Sequence, residues 1–226
     1  ESAVEARLRD MMNAMENPTL APYAKDSEVQ LRLTAKAKSK AEADSMMAPV
    51  LEKIQGILGD IIYGIDTETL ENTVVGLLKE NSKTLATAES CTGGLLSKRL
   101  TDIAGASKVF IGGMVTYATE SKTSLLGVDA GLIREKGVAS REVAEQMAIM
   151  VRRRFSTDLG VGITGITGPD SDESGREPGT VFVALSAEDG LWCRSLSLPF
   201  DRWRVRTAAS SHALDMIRRY LTGLKI

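Results

Sequence analysis

Histidine is almost absent from this chain: His212 is the only one in 226 residues. A histidine metal cage or a histidine-relayed triad has no material to be built from, so no metal and no cofactor is expected and any catalytic base must be another residue type. Cysteine is nearly as scarce. Cys91 and Cys193 are far apart and too few for a disulfide framework, and reduced thiols are the expectation. No apolar run approaches the roughly 18 residues that span a bilayer, and no basic-then-apolar leader opens the chain, so a cytoplasmic protein with no membrane partner is expected. An excess of positive charge is also missing. The formal net charge of −2 argues against nucleic acid as the main partner. The local run Arg152-Arg153-Arg154 reads as the solvated end of a helix, where cations offset the dipole.

What is present is a soluble, globular composition, 43% hydrophobic and 26% charged, long enough for one large domain or two modest ones. Residues 1–66 form one pattern. Val4 to Met15 reads as a helix, Glu28 to Thr34 alternates as a half-buried strand does, and Met47, Val50, Leu51, Ile54, Ile57 and Leu58 recur at helical spacing up to Gly59. A short strand at Ile61 to Gly64 completes a helix, strand, helix, strand order, a small α+β domain. Pro49 fits that second helix only in its first turn or at a kink.

Residues 67–226 change character. Thr67 or Asp66 can cap a helix through Leu78; a strand at Thr84 to Thr87 leads into a glycine turn and a helix at Leu95; a second strand runs from Val109 to Tyr117. Ser140 starts a helix to Phe155, Leu159 to Ile163 is a short strand, and Asp170 to Pro178 reads as a mobile loop. A hairpin of Thr180 to Ser186 with Leu191 to Leu198 precedes a closing helix, Asp201 to Leu221. Such alternation with one late hairpin predicts an α/β fold, a three-layer α/β/α domain with a mixed sheet, and ligands in such sheets bind beyond the strand ends.

The chemistry gathers at those ends. Thr87 to Gly94 crowds Glu89, Ser90, Cys91 and Thr92 against Gly93 and Gly94, in a turn that should present unpaired N–H groups and a helix dipole to an oxyanion or phosphate. Serine is a poor nucleophile until a neighbour takes its proton, and the candidate base is a lysine kept neutral. Lys122 suits best, flanking with Tyr117 a strand-to-helix junction, although a surface lysine beside a half-buried tyrosine would read the same. Tyr117 can shuttle a proton or position a carbonyl. Cys91 is the rival nucleophile, since a helix N-terminus lowers a thiol pKa; ordinary packing is its alternative. Glu89 is either a helix-dipole partner or a ligand for a ribose hydroxyl. Thr164, Gly165, Thr167 and Gly168 form a second glycine turn suited to an oxyanion or amide contact. Arg202, with Arg204 and Arg206, starts the last helix, where cations oppose the dipole, which hints at phosphate binding by Arg202. His212 shares a stripe with Val205, Ala209, Ala213, Met216 and Ile217 and reads as a core histidine.

Five ordered segments, TLATAESCTGG at 84–94, VTYATESK at 115–122, GITGPD within 165–170 in a variant spelling, PGTVFVAL at 178–185 and FDRWRVR at 200–206, resemble the C-terminal amidase domain of the CinA family. Asn17-Pro18-Thr19, Ala21 to Ala24, LRLTAKA and IYG resemble the KH-like domain that precedes it. The family's further molybdopterin-binding-like domain is missing, which makes the chain look like a fragment or a natural short form. The resemblance implies hydrolysis of the carboxamide of nicotinamide mononucleotide, without a cofactor, by Ser90, Lys122 and Tyr117, with the two glycine turns and Arg202 binding substrate, in a homodimer. Whether Ser90 attacks or orients a water stays open at this level. Relatives place Ser-Gly-Ile-Ala-Gly-Pro where Thr164 to Pro169 stand, and a glycine before the Asp-Arg pair that here follows Phe200 directly. Two further readings compete: a KH-type nucleic-acid module, for which Gly56-Ile57-Leu58-Gly59 spells GxxG although Ile57 and Leu58 continue an apolar stripe, and a dimerising scaffold with a non-catalytic C-terminal domain.

Overall fold

A computed structural model describes residues 2–25, 27–67, 69–171 and 175–226. It divides into two compact units, Glu1–Ile65 and Asp66–Ile226.

In the first unit, helix α1 (Ser2–Ala14) is followed by strands β1 (Thr19–Lys25) and β2 (Glu28–Thr34) and by helix α2 (Lys40–Leu58). The strands pair antiparallel from Thr19↔Thr34 to Lys25↔Glu28. Helix α2 starts where Ser39 Oγ accepts the Glu42 N–H at 3.2 Å while the Glu42 carboxylate accepts the Lys38 N–H at 2.9 Å. Leu8, Leu20, Ile54 and Leu58 form the buried centre. The order is thus helix, strand, strand, helix, and the expected strand at Ile61 to Gly64 is instead a tight turn, Gly59–Ile61, and irregular chain. Its apolar residues misled because Ile61 lies exposed and Tyr63 spends its hydroxyl on Glu28. Strand β1 escaped notice because it carries Pro22, which a two-stranded ribbon tolerates. Pro49 lies inside α2 on its exposed side, away from the first turn. Of the GxxG residues, Leu58 is buried as expected but Ile57 is exposed.

In the second unit, helix α3 (Leu70–Glu80) is capped by Thr69, whose hydroxyl accepts the Asn72 N–H, and not by Asp66 or Thr67. Then follow β3 (Leu85–Glu89), α4 (Leu95–Thr101), β4 (Phe110–Val115), a single turn α5 (Thr119–Ser121) widening into a π turn at Lys122–Leu126, α6 (Ala130–Lys136), α7 (Arg141–Phe155), β5 (Leu159–Gly165), β6 (Thr180–Ser186), β7 (Leu191–Ser197) and α8 (Arg202–Leu221). The five-stranded sheet has the order β4-β3-β5-β6-β7. Strands β4, β3 and β5 run parallel, β6 pairs antiparallel with β5 and β7 antiparallel with β6, the mixed sheet expected. Helix α7 covers one face, with the π turn contributing Leu126 to a shared core with Ala86, Ala88, Val143, Met147 and Val151. Helices α4 and α8 cover the other, and α3 packs on α8. These three layers leave β3 between two strands whose connections leave in opposite directions, the switch point where doubly wound sheets bind ligands. Of the predicted loop, residues 172–174 lie outside the described residues; beyond them Arg176 donates to the carbonyls of Ala139 and Lys136, so that end is pinned.

The seat of α7 depends on the missing side chains of Gly160 and Gly162, where any Cβ would meet α7 backbone. A Cβ at Gly162 would lie 2.3 Å from the Ala144 carbonyl oxygen and 2.6 Å from the Ala148 nitrogen, both backbone atoms that cannot swing away. Gly162→Ala should therefore lift α7 from β5 and cost about 3 kcal/mol. Chemical denaturation followed by fluorescence checks this, since both tryptophans, Trp192 and Trp203, belong to the second unit.

Candidate active site

Ser90 is the residue directly beyond β3, and its N–H still bonds to the Ile163 carbonyl at 2.9 Å, so its backbone has the rigidity of the sheet. Side chains alternate across a strand. Ala86 and Ala88 belong to the core under α7, which puts Ser90 on that face, and Lys122, the first residue of the π turn, comes down on the same side. Lys122 is fully buried, as no lysine is without a reason. Its Nζ lies 2.9 Å from Ser90 Oγ, 2.8 Å from the Thr116 carbonyl oxygen and 3.3 Å from that of Tyr117. All three partners can accept and none is a carboxylate. Burial pushes the amine down from its ordinary 10.5 to about 8, opposed more weakly by Cys91 and Glu120.

Glu89, the next residue back, faces the other way. Its buried carboxylate accepts the N–H groups of Leu96 at 3.0 Å and Ser97 at 2.8 Å and the Ser97 hydroxyl at 2.6 Å. Of its two sequence readings, this is the helix-dipole one. It also corrects the expectation that the start of α4 awaits an anion: the protein's own carboxylate already occupies that position. The turn itself is closed by Gly93 N–H on the Ser90 carbonyl and by Leu95 N–H on that of Thr92, with Gly93 and Gly94 at φ +60° and +90°. Cys91 is held as the protonated thiol at neutral pH. Burial outweighs the helix end and pushes its thiol up to about 12.

Tyr117 meets Lys122 through its carbonyl; its exposed phenol oxygen instead accepts from Arg202 Nη2 at 2.5 Å. Arg202 Nη1 donates to the Gly168 carbonyl at 3.0 Å, so one guanidinium ties the end of β4 to the turn after β5, and the missing glycine before Asp201 does not remove it from the site. Asp201 caps α8 by accepting the Arg204 N–H. In the second glycine turn, Thr164 is buried and its hydroxyl is spent on the Val138 carbonyl at 2.8 Å, which corrects its expected role as an oxyanion contact. Gly165 ends β5 opposite Val181, Thr167 is buried, and Gly168 serves through its carbonyl. His212 lies ten residues along α8 from Arg202, about 15 Å by helical rise, half-buried beside Arg194 with its pKa lowered by burial. It takes no part in the site.

Two contributors were given no role of their own in the sequence reading. Arg206 donates from Nε and Nη2 to the Thr92 carbonyl, at 3.2 and 2.6 Å, holding the turn that follows Ser90. Its spacing of four from Arg202 on one helix was the available signal. Thr116 was overlooked because its contribution is a backbone carbonyl and a place in the sheet register, neither visible in a residue type. The hydroxyls of Thr92 and Thr116 are both buried and have no hydrogen-bond partner among the described residues. Among the described residues there is also no group of three or more His, Cys, Asp or Glu able to hold a metal ion, and no helix long and apolar enough to cross a membrane.

Chemically, the site offers an alcohol hydrogen-bonded to an amine that burial brings down to about 8. Such a pair can deprotonate a serine for attack on an acyl carbon and return the proton to a leaving group. The profile of the CinA C-terminal domain matches residues 67–221, and that of the KH domain of damage-inducible protein CinA matches residues 1–64. A CinA-like protein of Desulfovibrio desulfuricans is 45% identical over 230 residues, which take in 100% of this chain and 54% of that protein. The chain therefore spans about half the length of such relatives. Among solved structures, the competence/damage inducible protein CihA from Agrobacterium tumefaciens is 32% identical with a TM-score of 0.65, over 71% of this chain and 98% of that one. A CinA superfamily protein from Klebsiella pneumoniae is 27% identical with a TM-score of 0.66, over 68% and 96%.

The buried amine has a thermodynamic signature. Between pH 8 and 10.5 the unfolded chain holds a proton on Lys122 that the folded chain has released, so stability rises with pH across that window, and below it the fold carries a penalty of about 3 kcal/mol. Lys122→Met should accordingly raise the stability of the second unit by up to about 3 kcal/mol at pH 7. Paired thermal melts of both proteins from pH 7 to 10.5 check this, and the advantage should shrink as pH rises.

Proposed function

The chain belongs to the CinA family, and from that premise we propose that its second unit hydrolyses the carboxamide of nicotinamide mononucleotide to nicotinate mononucleotide and ammonia. One observation carries the proposal: Ser90 Oγ lies 2.9 Å from an amine that is buried among acceptors and brought down to about 8. In its neutral form Lys122 directs two N–H bonds to the Thr116 and Tyr117 carbonyls and its lone pair to the Ser90 hydroxyl. The serine proton passes to the lysine as Oγ attacks the carboxamide carbon. The same proton then goes to the departing nitrogen, which leaves as ammonia, and water cleaves the resulting ester by the reverse relay.

The substrate matches these limited means. A cationic pyridinium withdraws electrons from its carboxamide, so the carbon is reactive enough for a serine activated by an amine alone. The 5′-phosphate needs an anion site, and with the start of α4 closed by Glu89 the cation assigned to it is Arg202, exposed beside Tyr117.

On this reading the purified chain releases ammonia from nicotinamide mononucleotide, and kcat/KM climbs with pH to a plateau through an apparent pKa of about 8, because the active form is the neutral amine. Ser90→Ala and Lys122→Arg each abolish release, the second because a guanidinium does not deprotonate. Arg202→Ala raises KM about tenfold or more with a smaller change in kcat. An ammonia assay across pH on the four proteins settles these outcomes; turnover by Ser90→Ala at the parental rate rejects the mechanism.

A further inference from the structure

The parallel register that places Ser90 also places its neighbours. Glu89 pairs with Val115 on one side and Ile163 on the other, so one step further Ser90 stands between Thr116 and Thr164. The Thr116 N–H bonded to the Glu89 carbonyl at 2.9 Å and the Ser90 N–H bonded to the Ile163 carbonyl at 2.9 Å confirm that the ladder continues to this level. All three side chains share the α7 face, because Met114, Ala88 and Gly162, two residues back on each strand, contact α7 or its core. Three hydroxyls therefore stand in a row across the ends of β4, β3 and β5, with neighbouring strands about 4.8 Å apart.

The flanking hydroxyls differ in one respect. The Thr164 hydroxyl donates its hydrogen bond to the Val138 carbonyl. Thr116, fully buried, has a hydroxyl with no partner among the described residues, while its own carbonyl holds the Lys122 amine. A buried, unpartnered hydroxyl costs stability, so its survival beside a reactive serine calls for a state in which it is used. That state is the one in which Ser90 carries charge. As the serine proton moves to Lys122, Oγ becomes an alkoxide able to accept more than one hydrogen bond, and Lys122 supplies only one. Ser90 and Thr116 are lateral neighbours on adjacent strands, so side-chain rotation alone, without backbone movement, can bring the two hydroxyls together.

We propose that Thr116 is a positioning residue for the nucleophile, its hydroxyl donating to Ser90 Oγ as the serine proton leaves for Lys122 and the new O–C bond forms. The inference rests on the serine-lysine reading above but not on the identity of the amide, and a test independent of substrate is available. A fluorophosphonate forms an O–P bond with an activated serine and releases fluoride, so its rate of addition to Ser90, read by intact mass, reports the nucleophile alone.

Thr116→Val keeps the shape and removes the hydroxyl; Thr116→Ala and Thr116→Ser are measured beside it. Labelling and kcat should fall about 10- to 100-fold in the valine and alanine variants, the range expected for a lost bond to a charged oxygen, with KM nearly constant. The serine variant should stay within about threefold of the parent, and the valine variant should melt no earlier, since nothing among the described residues loses a partner. Labelling of the valine variant at the parental rate overturns the inference, as does a serine variant as slow as alanine, which would show packing and not the hydroxyl to matter. Failure of the parent chain to label at Ser90 overturns it too. A parent that labels rapidly yet releases no ammonia from nicotinamide mononucleotide refutes the substrate assignment alone, and the labelling series then still decides Thr116.

Discussion

The structure turns on a single amine buried without a carboxylate. Lys122 Nζ is satisfied by a hydroxyl and two backbone carbonyls, groups that accept hydrogen bonds without carrying a charge. A carboxylate in either carbonyl's place would hold the amine protonated and useless as a base. One is close by in sequence, since Glu89 immediately precedes Ser90. The pleat of β3 keeps it apart: successive side chains point to opposite faces, so Ser90 meets the lysine while Glu89 is directed to α4 and engaged there by Leu96 and Ser97. The alternation that makes a strand thus separates the amine from the carboxylate that would hold it protonated.

Rigid supports surround this pair on every side. Helix α4 is held at its start by Glu89 and along its length by Arg99, which pairs with Glu71 of α3 and donates to Ser210 and Ser211 of α8. Helix α8 returns the support through Arg206 on the Thr92 carbonyl and Arg202 on the Gly168 carbonyl and Tyr117 hydroxyl. Cations in the first turns of a helix oppose its dipole, and the Asp201 cap offsets part of that cost. Their placement makes sense as crosslinks: three loops from three strand ends are fixed by one helix. The π turn belongs to the same economy of position, since its extra residue lets Lys122 reach the sheet edge while Leu126 enters the core.

Local chemistry made much of this readable from residues alone. Ser140 as a cap, the β6 and β7 hairpin, the strand, turn and helix around Ser90, and the closing helix are all signalled within a few positions of themselves. What escaped depends on partners distant in sequence. Strand β1 hides behind Pro22, whose tolerance follows from having a single neighbour strand. The role of Glu89 required knowing which face it points to, that of Thr164 required Val138, and that of Thr116 required the register of β4 against β3. Ser90 and Lys122 were legible as residue types that could cooperate; their separation of 2.9 Å was not, because they are 32 positions apart in the chain.

The same low-polarity surroundings also choose between the two nucleophiles that the turn contains. Burial disfavours whichever form of a group is charged, and so acts in opposite chemical senses on neighbours. For Lys122 it favours the free amine, down to about 8, which is the form that can take a proton. For Cys91 it favours the thiol, up to about 12, which is the form that cannot attack. Serine needs no charge of its own before the reaction begins, only a base within reach, and so it alone is served by dryness. A site that were wetter would recover the cysteine but return the lysine to a permanent ammonium, and Ser90 would lose its proposed base. In the proposed mechanism, the preference for Ser90 over Cys91, adjacent residues in one turn, thus follows from the dielectric around them as much as from geometry.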